Sequence, residues 1–371
     1  MSTQPLEPTP HHQTSHRAKA PDPEKTEAFV MRVLGDVSAA VTTLMSSFGD
    51  RLGLFKDLDR HGPATAAELA ARTKLNERYV REWLHGMAAA GYLTWDAASN
   101  RFTLPPEHAP ALCEENGAFF FGGMHQMLPS LAGQMGLLER AFHEGGGIPL
   151  AAYDDDWWTG LTRFTNGWFE NHLTQSWIPG MPDVLAKLEE GGSWADVGTG
   201  RGRAPIKLAQ AYPKARFDGF DIFTGNVEVA TRAAAAAGVG DRVRFHLLDA
   251  AKGLPGTYDV ISTFDVIHDA VDPAGILRSI RKALRPGGIF VCLDINCGDE
   301  LPDNFGPIGS MFYGVSILYC MTTSLANGGA GLGTMGLPES KLRAMALEAG
   351  FDSVRRVPLE NPFNNLYEVR G

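Results

Sequence analysis

The residues best suited to chemistry begin with Asp196-Val197-Gly198-Thr199-Gly200-Arg201-Gly202, a glycine run between an apolar stretch and a helical one. Glycines there let the backbone approach a ligand closely, and amides at a helix start present donors. A dinucleotide fingerprint is spaced G-x-G-x-x-G to accommodate a pyrophosphate; this chain reads acidic-x-G-x-G-x-G. The acid ahead of the glycines would repel a pyrophosphate and suits a ligand carrying an ammonium group. Asp221 ends the next apolar stretch, where a carboxylate can accept both hydroxyls of a ribose. Asp249 ends the third, in Leu247-Leu248-Asp249-Ala250, and can accept from an exocyclic amine. A fourth stretch runs to Asp265 and is followed by Val266-Ile267-His268-Asp269. With an unperturbed pKa of about 6.5, an imidazole such as His268 is the side chain suited to take a proton at neutral pH. Asp269 is adjacent in sequence, so its side chain is expected to point elsewhere, and a carboxylate orienting the imidazole must come from another part of the chain.

Holding these residues together needs a framework. From Ser193 onward, apolar strands at 194–197, 216–220, 243–247, 258–264 and 289–293 alternate with helical stretches. That pattern specifies an α/β fold, a mostly parallel Rossmann-like sheet with helices on both faces. Leu284-Arg285-Pro286-Gly287-Gly288 reads as the turn into the fifth strand, and 354–358 with 365–369 as an edge hairpin. Ahead of this domain, 107–190 is helical and aromatic, including Phe119, Phe120, Phe121, Trp157, Trp158, Phe164, Trp168 and Phe169. Its place between two modules makes it a candidate pocket wall and substrate lid.

The first 106 residues read as two parts. Residues 1–24 hold five prolines and almost no apolar side chains, a disordered tail whose His11, His12 and His16 can bind metal only adventitiously. A helix over 27–58 carries a wide apolar stripe that needs a partner, either this chain or a second copy. Thr65 and Glu68 form a capping box, Asn76 caps a second helix with inner face Tyr79, Val80, Trp83, Leu84 and Met87, and 92–95 with 101–104 form a hairpin. Helix, helix, hairpin is a winged helix. Its second helix sets Arg78 and Arg81 beside Glu77 and Glu82, with no net positive face for phosphates. The expected domains are therefore a tail (1–24), a winged-helix dimerisation domain (25–106), a helical linker and lid (107–190) and the α/β domain (191–371).

Composition narrows the function classes. The 371 residues are 44% hydrophobic and 20% charged, enough to bury a sizeable core. A formal net charge of −10 argues against a protein held mainly on nucleic acid or anionic lipid. Four cysteines without CxxC or zinc spacing favour a reducing cytoplasm over a disulfide scaffold. No apolar run approaches the roughly 18 residues that span a bilayer, and no signal-peptide core is present.

The ordered set Asp196 to Gly202, Asp221, Asp249, Asp265 and the Leu284-Arg285-Pro286-Gly287-Gly288 turn resembles the class I S-adenosylmethionine (SAM) dependent methyltransferases. With the winged helix ahead of it, the chain resembles the dimeric small-molecule O-methyltransferases. Gly49-Asp50-Arg51-Leu52-Gly53-Leu54, Arg78-Tyr79-Val80-Arg81-Glu82-Trp83-Leu84 and Leu318-Tyr319-Cys320-Met321 resemble a bacterial group of winged-helix methyltransferases. The resemblance implies a seven-stranded sheet, a homodimer, and SAM as cofactor with S-adenosylhomocysteine as product. It implies a cofactor site of Asp196, Gly198, Gly200, Gly202, Asp221, Ile222, Asp249, Ala250, Phe264 and Asp265. His268 is then the general base, with Ala270 where many of those enzymes carry Trp. Phe121, His125, Trp168, His172, Phe312, Tyr313 and Tyr319 are expected to contact a small, largely apolar methyl acceptor, with 306–336 as a covering loop. Asp265, Asp294 and Asn296 resemble a Mg²⁺ set only loosely, because the Asp–Asn adjacency of metal-dependent enzymes is missing, so no metal is assigned. The competing readings are a SAM-responsive DNA-binding regulator and a SAM-binding enzyme of this fold that transfers no methyl group.

Overall fold

The computed structural model describes residues 20–371. The tail reading and its three histidines thus lie outside the described residues up to position 19, and helix α1 (Pro23–Arg51) begins within the stretch assigned to the tail. The chain divides into two compact units, Met1–Thr43 and Leu44–Gly371. In the first, the α1 side chains Phe29, Val30, Val33, Leu34, Val37 and Val41 are each at least 43% exposed, so its apolar stripe faces outward.

In the second unit, the expected 27–58 helix is interrupted. Gly53 takes a left-handed φ of 71° between the end of α1 and α2 (Leu54–His61), a conformation that costs glycine nothing. Helix α3 (Ala66–Thr73) opens on the expected capping box: the Glu68 N–H donates to Thr65 Oγ1 at 3.3 Å and the Thr65 N–H to Glu68 Oε2 at 2.9 Å. Asn76 Oδ1 caps α4 (Glu77–Ala89), which buries Val80, Trp83, Leu84 and Met87. Tyr79 is a correction: at 79% exposure it belongs to the outer face. Strands β1 (Thr94–Asp96) and β2 (Arg101–Thr103) form the wing, with Ala64 bridging Phe102 on the other side of β2. On the outer face of α4, Arg78 pairs with Glu82 and Arg81 with Glu77 one turn away, so each arginine already has its counterion.

Helices α5 (Ala109–Leu112), α6 (Gly122–Ala132), α7 (Met135–Glu144), α8 (Asp155–Trp168) and α9 (Pro182–Glu189) connect the wing to the sheet. Between α8 and α9, Phe169–Trp177 is wound as a π-helix, a rare form associated with functional sites. Gly123 and Gly160 let α6 and α8 touch backbone to backbone: a Cβ on Gly123 would lie 2.3 Å from the Phe164 nitrogen. The two helices are clamped to the winged-helix part by Arg163, which donates to both oxygens of Asp50 (2.7 and 2.8 Å) and to Glu115 (2.6 and 2.9 Å).

The sheet has seven strands in the order β5-β4-β3-β6-β7-β9-β8: β3 (Ser193–Val197), β4 (Arg216–Asp221), β5 (Val243–Leu247), β6 (Tyr258–Phe264), β7 (Leu284–Ile295), β8 (Ser353–Val357) and β9 (Asn364–Arg370). The first five are parallel; β9 runs antiparallel to β7, and β8, antiparallel to β9, points the same way as the five. Helices α10 (Arg203–Ala211), α11 (Thr224–Ala236), α12 (Pro273–Ala283) and α15 (Glu339–Glu348) complete the domain. The turn read at 284–288 lies inside β7, where the register with β6 shifts between Tyr258 and Val260.

One expectation is corrected. The 306–336 region is not a covering loop throughout: α13 (Pro307–Val315), a π-helical Ser316–Cys320 and α14 (Met321–Ala326) occupy its first two thirds, and only the glycine-rich remainder is irregular. Two helical stretches, Pro23–Arg51 and Pro307–Ala326, are long and apolar enough by length and composition to cross a membrane. Counting uninterrupted apolar runs misses them, because Ser, Thr and Gly break the runs while adding little polarity to the window.

Candidate active site

Strand order reverses between β3 and β6, since the chain runs outward from β3 through β4 to β5 and returns to the other side of β3 as β6. In an open parallel sheet that switch point is where the strand ends leave a crevice. A cavity of about 910 Å³ lies there. One wall consists of strand ends and the turns after them; the other consists largely of aromatic and aliphatic side chains from the helices ahead of the sheet and from 311–323 and 363–364.

The strand-end wall contains Asp196, Gly198, Gly200, Asp221, Ile222, Asp249, Ala250, Phe264 and Asp265. Gly198 has a φ of 67° and no room for a side chain: a Cβ would lie 2.5 Å from Val266 Cγ2. The Gly200 N–H donates to Asp221 Oδ2 at 2.8 Å, while Asp221 Oδ1 accepts from the Phe223 N–H at 2.9 Å. The acid thus ties the glycine loop to β4 and keeps lone pairs for a further donor. Asp196 is 2% exposed and accepts from Ser262 Oγ at 2.5 Å, Ser262 in turn accepting from Trp194 Nε1 at 2.8 Å. Burial pushes the Asp196 carboxyl up to about 7, against those hydrogen bonds. An ammonium placed against it would restore its charge, which fits the ligand class expected of this motif. Gly202 is a correction. It caps α10 at a φ of 79°, and its missing Cβ makes room for the Phe245 ring at 2.5 Å rather than for the cavity.

At the end of β6, Asp265 takes a φ of 57°, unusual outside glycine, and its Oδ1 accepts from Asn364 Nδ2 at 2.6 Å. Burial and then the nearby Asp294 push its carboxyl up to about 7. His268 follows, 3% exposed, with Nδ1 2.7 Å from Asp294 Oδ1. Asp294 also accepts from the Ile267 and Ile295 N–H groups at 3.2 and 2.8 Å, so its carboxylate is fixed at the end of β7. Burial is the largest single influence and disfavours the imidazolium, but the Asp294 carboxylate and then Cys320 together outweigh it and hold the His268 pKa well above the ordinary value. Asp294 is the orienting carboxylate the sequence left unplaced; the signal was its position at the end of the strand adjoining β6. Asn296 does not join Asp265 and Asp294. Its side chain bonds Asn365 at 3.1 Å and the Pro362 carbonyl at 3.3 Å, and His268 stands where the third member of that set was sought.

Of the seven residues expected to meet an acceptor, Trp168, Phe312 and Tyr319 line the cavity. Trp168 stacks on Phe363 at 5.6 Å, Phe312 meets the edge of Phe363, and Tyr319 packs on Trp157 at 4.3 Å. The other four lie off the wall. Phe121 stands behind Phe164 at 5.6 Å; His125 is buried beside the charges of Asp50 and Arg163, and burial lowers its pKa; His172 stacks on Trp177 at 6.4 Å; Tyr313 turns outward, 38% exposed. Aromatic content named the region, but a helical face cannot be assigned without knowing what it packs against. Arg203 was also missed. Its guanidinium lies over the Phe169 ring at 4.7 Å and donates to the Thr162 carbonyl at 2.9 Å, and burial lowers its pKa to about 10 beside Asp265 and Asp196.

Comparison with known proteins follows the same division. A Rv2258c-like winged HTH domain matches residues 39–114 and a methyltransferase domain matches 188–315. O-demethylpuromycin-O-methyltransferase of Streptomyces alboniger is 26% identical, with 97% of this chain and 96% of that one aligned. Ubiquinone biosynthesis O-methyltransferase of Neisseria meningitidis is 28% identical over 156 residues, 41% of this chain. Against this and other curated relatives with local matches, the chain spans 23% to 63% of their length. The structure of the mitomycin 7-O-methyltransferase aligns with a TM-score of 0.69 at 20% identity, covering 94% of this chain and 99% of that one. Human N-acetylserotonin methyltransferase, solved with SAM, aligns at 0.66 and 17% identity, covering 92% and 98%. At that identity the structural likeness establishes the fold, including its two-domain order. The chain carries a winged HTH domain followed by a methyltransferase domain, and its fold is the one these methyltransferase structures share.

Proposed function

We propose that this chain transfers a methyl group from SAM to a nucleophilic atom, oxygen before nitrogen, sulfur or carbon, of a small and largely apolar acceptor. The observation that carries the reading is the His268–Asp294 pair, set where the strand-end wall meets the aromatic wall of one cavity. Gly198, Gly200, Asp196, Asp221, Asp249 and the adjoining Ile222, Ala250, Phe264 and Asp265 would hold SAM. When bound, SAM supplies an electrophilic methyl group on a sulfonium. His268 donates its Nδ1 proton to Asp294, which leaves the Nε2 lone pair to take the acceptor's proton. Asp294 stabilises the imidazolium so formed. Trp168, Phe312, Tyr319 and Phe363 would hold the acceptor by apolar contact and exclude water, so that alignment supplies much of the rate. Each turnover would exchange one acceptor O–H bond for an O–CH₃ bond as the sulfonium S–CH₃ bond breaks, with the proton passing to His268 and from there to solvent.

The protein is further read as a cytoplasmic homodimer, with the outward apolar face of α1 covered by a second copy. Sedimentation of a monomer at tens of micromolar would contradict that. Methyl transfer itself is tested by incubating the chain with methyl-labelled SAM and a natural-product extract. Label in a small organic product supports it; SAM binding without transfer to any component favours an enzyme of this fold with different chemistry.

A further inference from the structure

Cys320 is left unused by the reaction derived above, although it lines the same cavity and is only 6% exposed. Its thiol stands beside the His268 imidazole, and one donor atom each from His268, Cys320 and Asp269 lie within 4.8 Å of one another. We propose that these three residues form a binding site for a zinc-class divalent cation.

The donor set is the first argument. A thiolate, an imidazole and a carboxylate suit borderline-soft Zn²⁺ and are a poor match for Mg²⁺ or Ca²⁺, which take oxygen alone. The second argument is the partner of the histidine. A zinc-bound imidazole usually donates its other N–H to a carboxylate, which fixes the ring and raises its basicity. Here Nδ1 is already engaged by Asp294 at 2.7 Å, so Nε2 is the nitrogen that faces a cation. The third argument is access. Three protein ligands at a cavity wall leave a fourth position open to water or a small molecule, unlike the closed four-ligand arrangement of structural zinc sites. The residues come from two distant parts of the chain, the turn after β6 and the π-helical Ser316–Cys320, so the fold rather than local sequence spacing builds the set. That explains why CxxC and zinc spacing among the cysteines do not reveal it.

Binding displaces the Cys320 thiol proton to solvent and forms the sulfur–metal bond, with no change of oxidation state. The same cation occupies the Nε2 lone pair, so it withdraws His268 from the acceptor. Occupancy therefore switches methyl transfer off, and a chelator restores it; this consequence rests on the base role proposed for His268, whereas the site does not.

The test uses the full chain with His11, His12 and His16 replaced by alanine, which removes the adventitious tail ligands. Zn²⁺ is titrated in competition with a chromogenic chelator at pH 8, and Co²⁺ is added separately as a spectroscopic probe. The expected result is a single Zn²⁺ equivalent and a near-ultraviolet thiolate-to-cobalt band. Cys320→Ser should abolish the band and weaken zinc by at least about 10-fold, and Asp294→Asn should weaken it by about 10- to 100-fold. The cobalt spectrum and a zinc-induced rise in Tm are read on the chain with native cavity residues, so they decide the matter even if a variant misfolds. No binding at 10 µM free Zn²⁺, no thiolate band, or zinc affinity unchanged by Cys320→Ser would each overturn the site. Binding with undiminished turnover would leave the site standing and contradict the base role of His268.

Discussion

The two walls of the cavity are built by different means. On the strand-end side, each functional group sits at or just past the end of a parallel strand, and the sheet fixes its position: Asp221 at the end of β4, Asp265 after β6, Asp294 at the end of β7. Backbone amides hold the carboxylates, as Gly200 and Phe223 hold Asp221. On the other side, the groups are aromatic rings from α8, α13, the two π-helices and Phe363, and they hold one another through ring contacts of 4.3 to 5.9 Å. On the reading proposed above, the first wall should be specific for one ligand and tolerate little substitution. The second is an apolar surface whose shape is a sum of many contacts, and single changes should alter preference more than they abolish function.

The sharpest way to break this comparison is at the junction of the walls. His268→Ala should lower kcat about 10²- to 10⁴-fold while SAM affinity stays near wild type, read by labelled-methyl turnover and calorimetry. Full turnover by that variant would mean that alignment suffices without a base. On the strand-end wall, Asp221→Ala removes an acceptor and orphans the Gly200 and Phe223 N–H groups. It should cost SAM binding about 1–3 kcal/mol, or roughly 5- to 150-fold in Kd, with little change for the acceptor.

A smaller effect is expected from Asp294→Asn, and it has a direction in pH. Because Asp294 raises the His268 pKa, the neutral base accumulates only as pH rises, so kcat/KM should climb with pH through a midpoint above 6.5. Removing the carboxylate should move that midpoint to lower pH and reduce the plateau about 10-fold. A midpoint that does not move would separate the limb from His268. The smallest effect belongs to the aromatic wall. Phe363→Leu gives up the stack on Trp168 and the edge contacts with Phe164 and Phe312. Aromatic pairs contribute about 0.5–1.5 kcal/mol, so acceptor KM should rise roughly 2- to 10-fold with the SAM Kd within about twofold. A larger loss in SAM binding would show the walls to be coupled.

The difference between the walls also decides what could be read before the fold was known. Strand, glycine turn and helix are adjacent in sequence, so Gly198, Gly200 and Asp221 were legible from spacing, and all three reach the cavity. Gly202 belongs to the same run but serves the Phe245 ring, because a glycine's reason for being small is set by a neighbour three-dimensional in origin. Asp294 lies 26 residues from His268, and only the pairing of β6 with β7 brings them together. On the aromatic wall, Phe121, His125, His172 and Tyr313 were chosen from the right helices but the wrong faces. The α6–α8 contact that turns Phe164 inward and Phe121 behind it depends on Gly123 and Gly160, which carry no hydropathy signal. Composition likewise gave no hint of Arg203, a charged residue inside an apolar wall, nor of the break at Gly53 within a continuous apolar stripe.

Calorimetric titration of SAM into the wild-type chain, Asp221→Ala and His268→Ala tests the central claim most directly. The account requires micromolar-class binding to the wild type, the same affinity within about twofold for His268→Ala, and roughly 5- to 150-fold weaker binding to Asp221→Ala. Unchanged affinity in Asp221→Ala, or a loss confined to His268→Ala, would contradict the assignment of the strand-end wall to the cofactor.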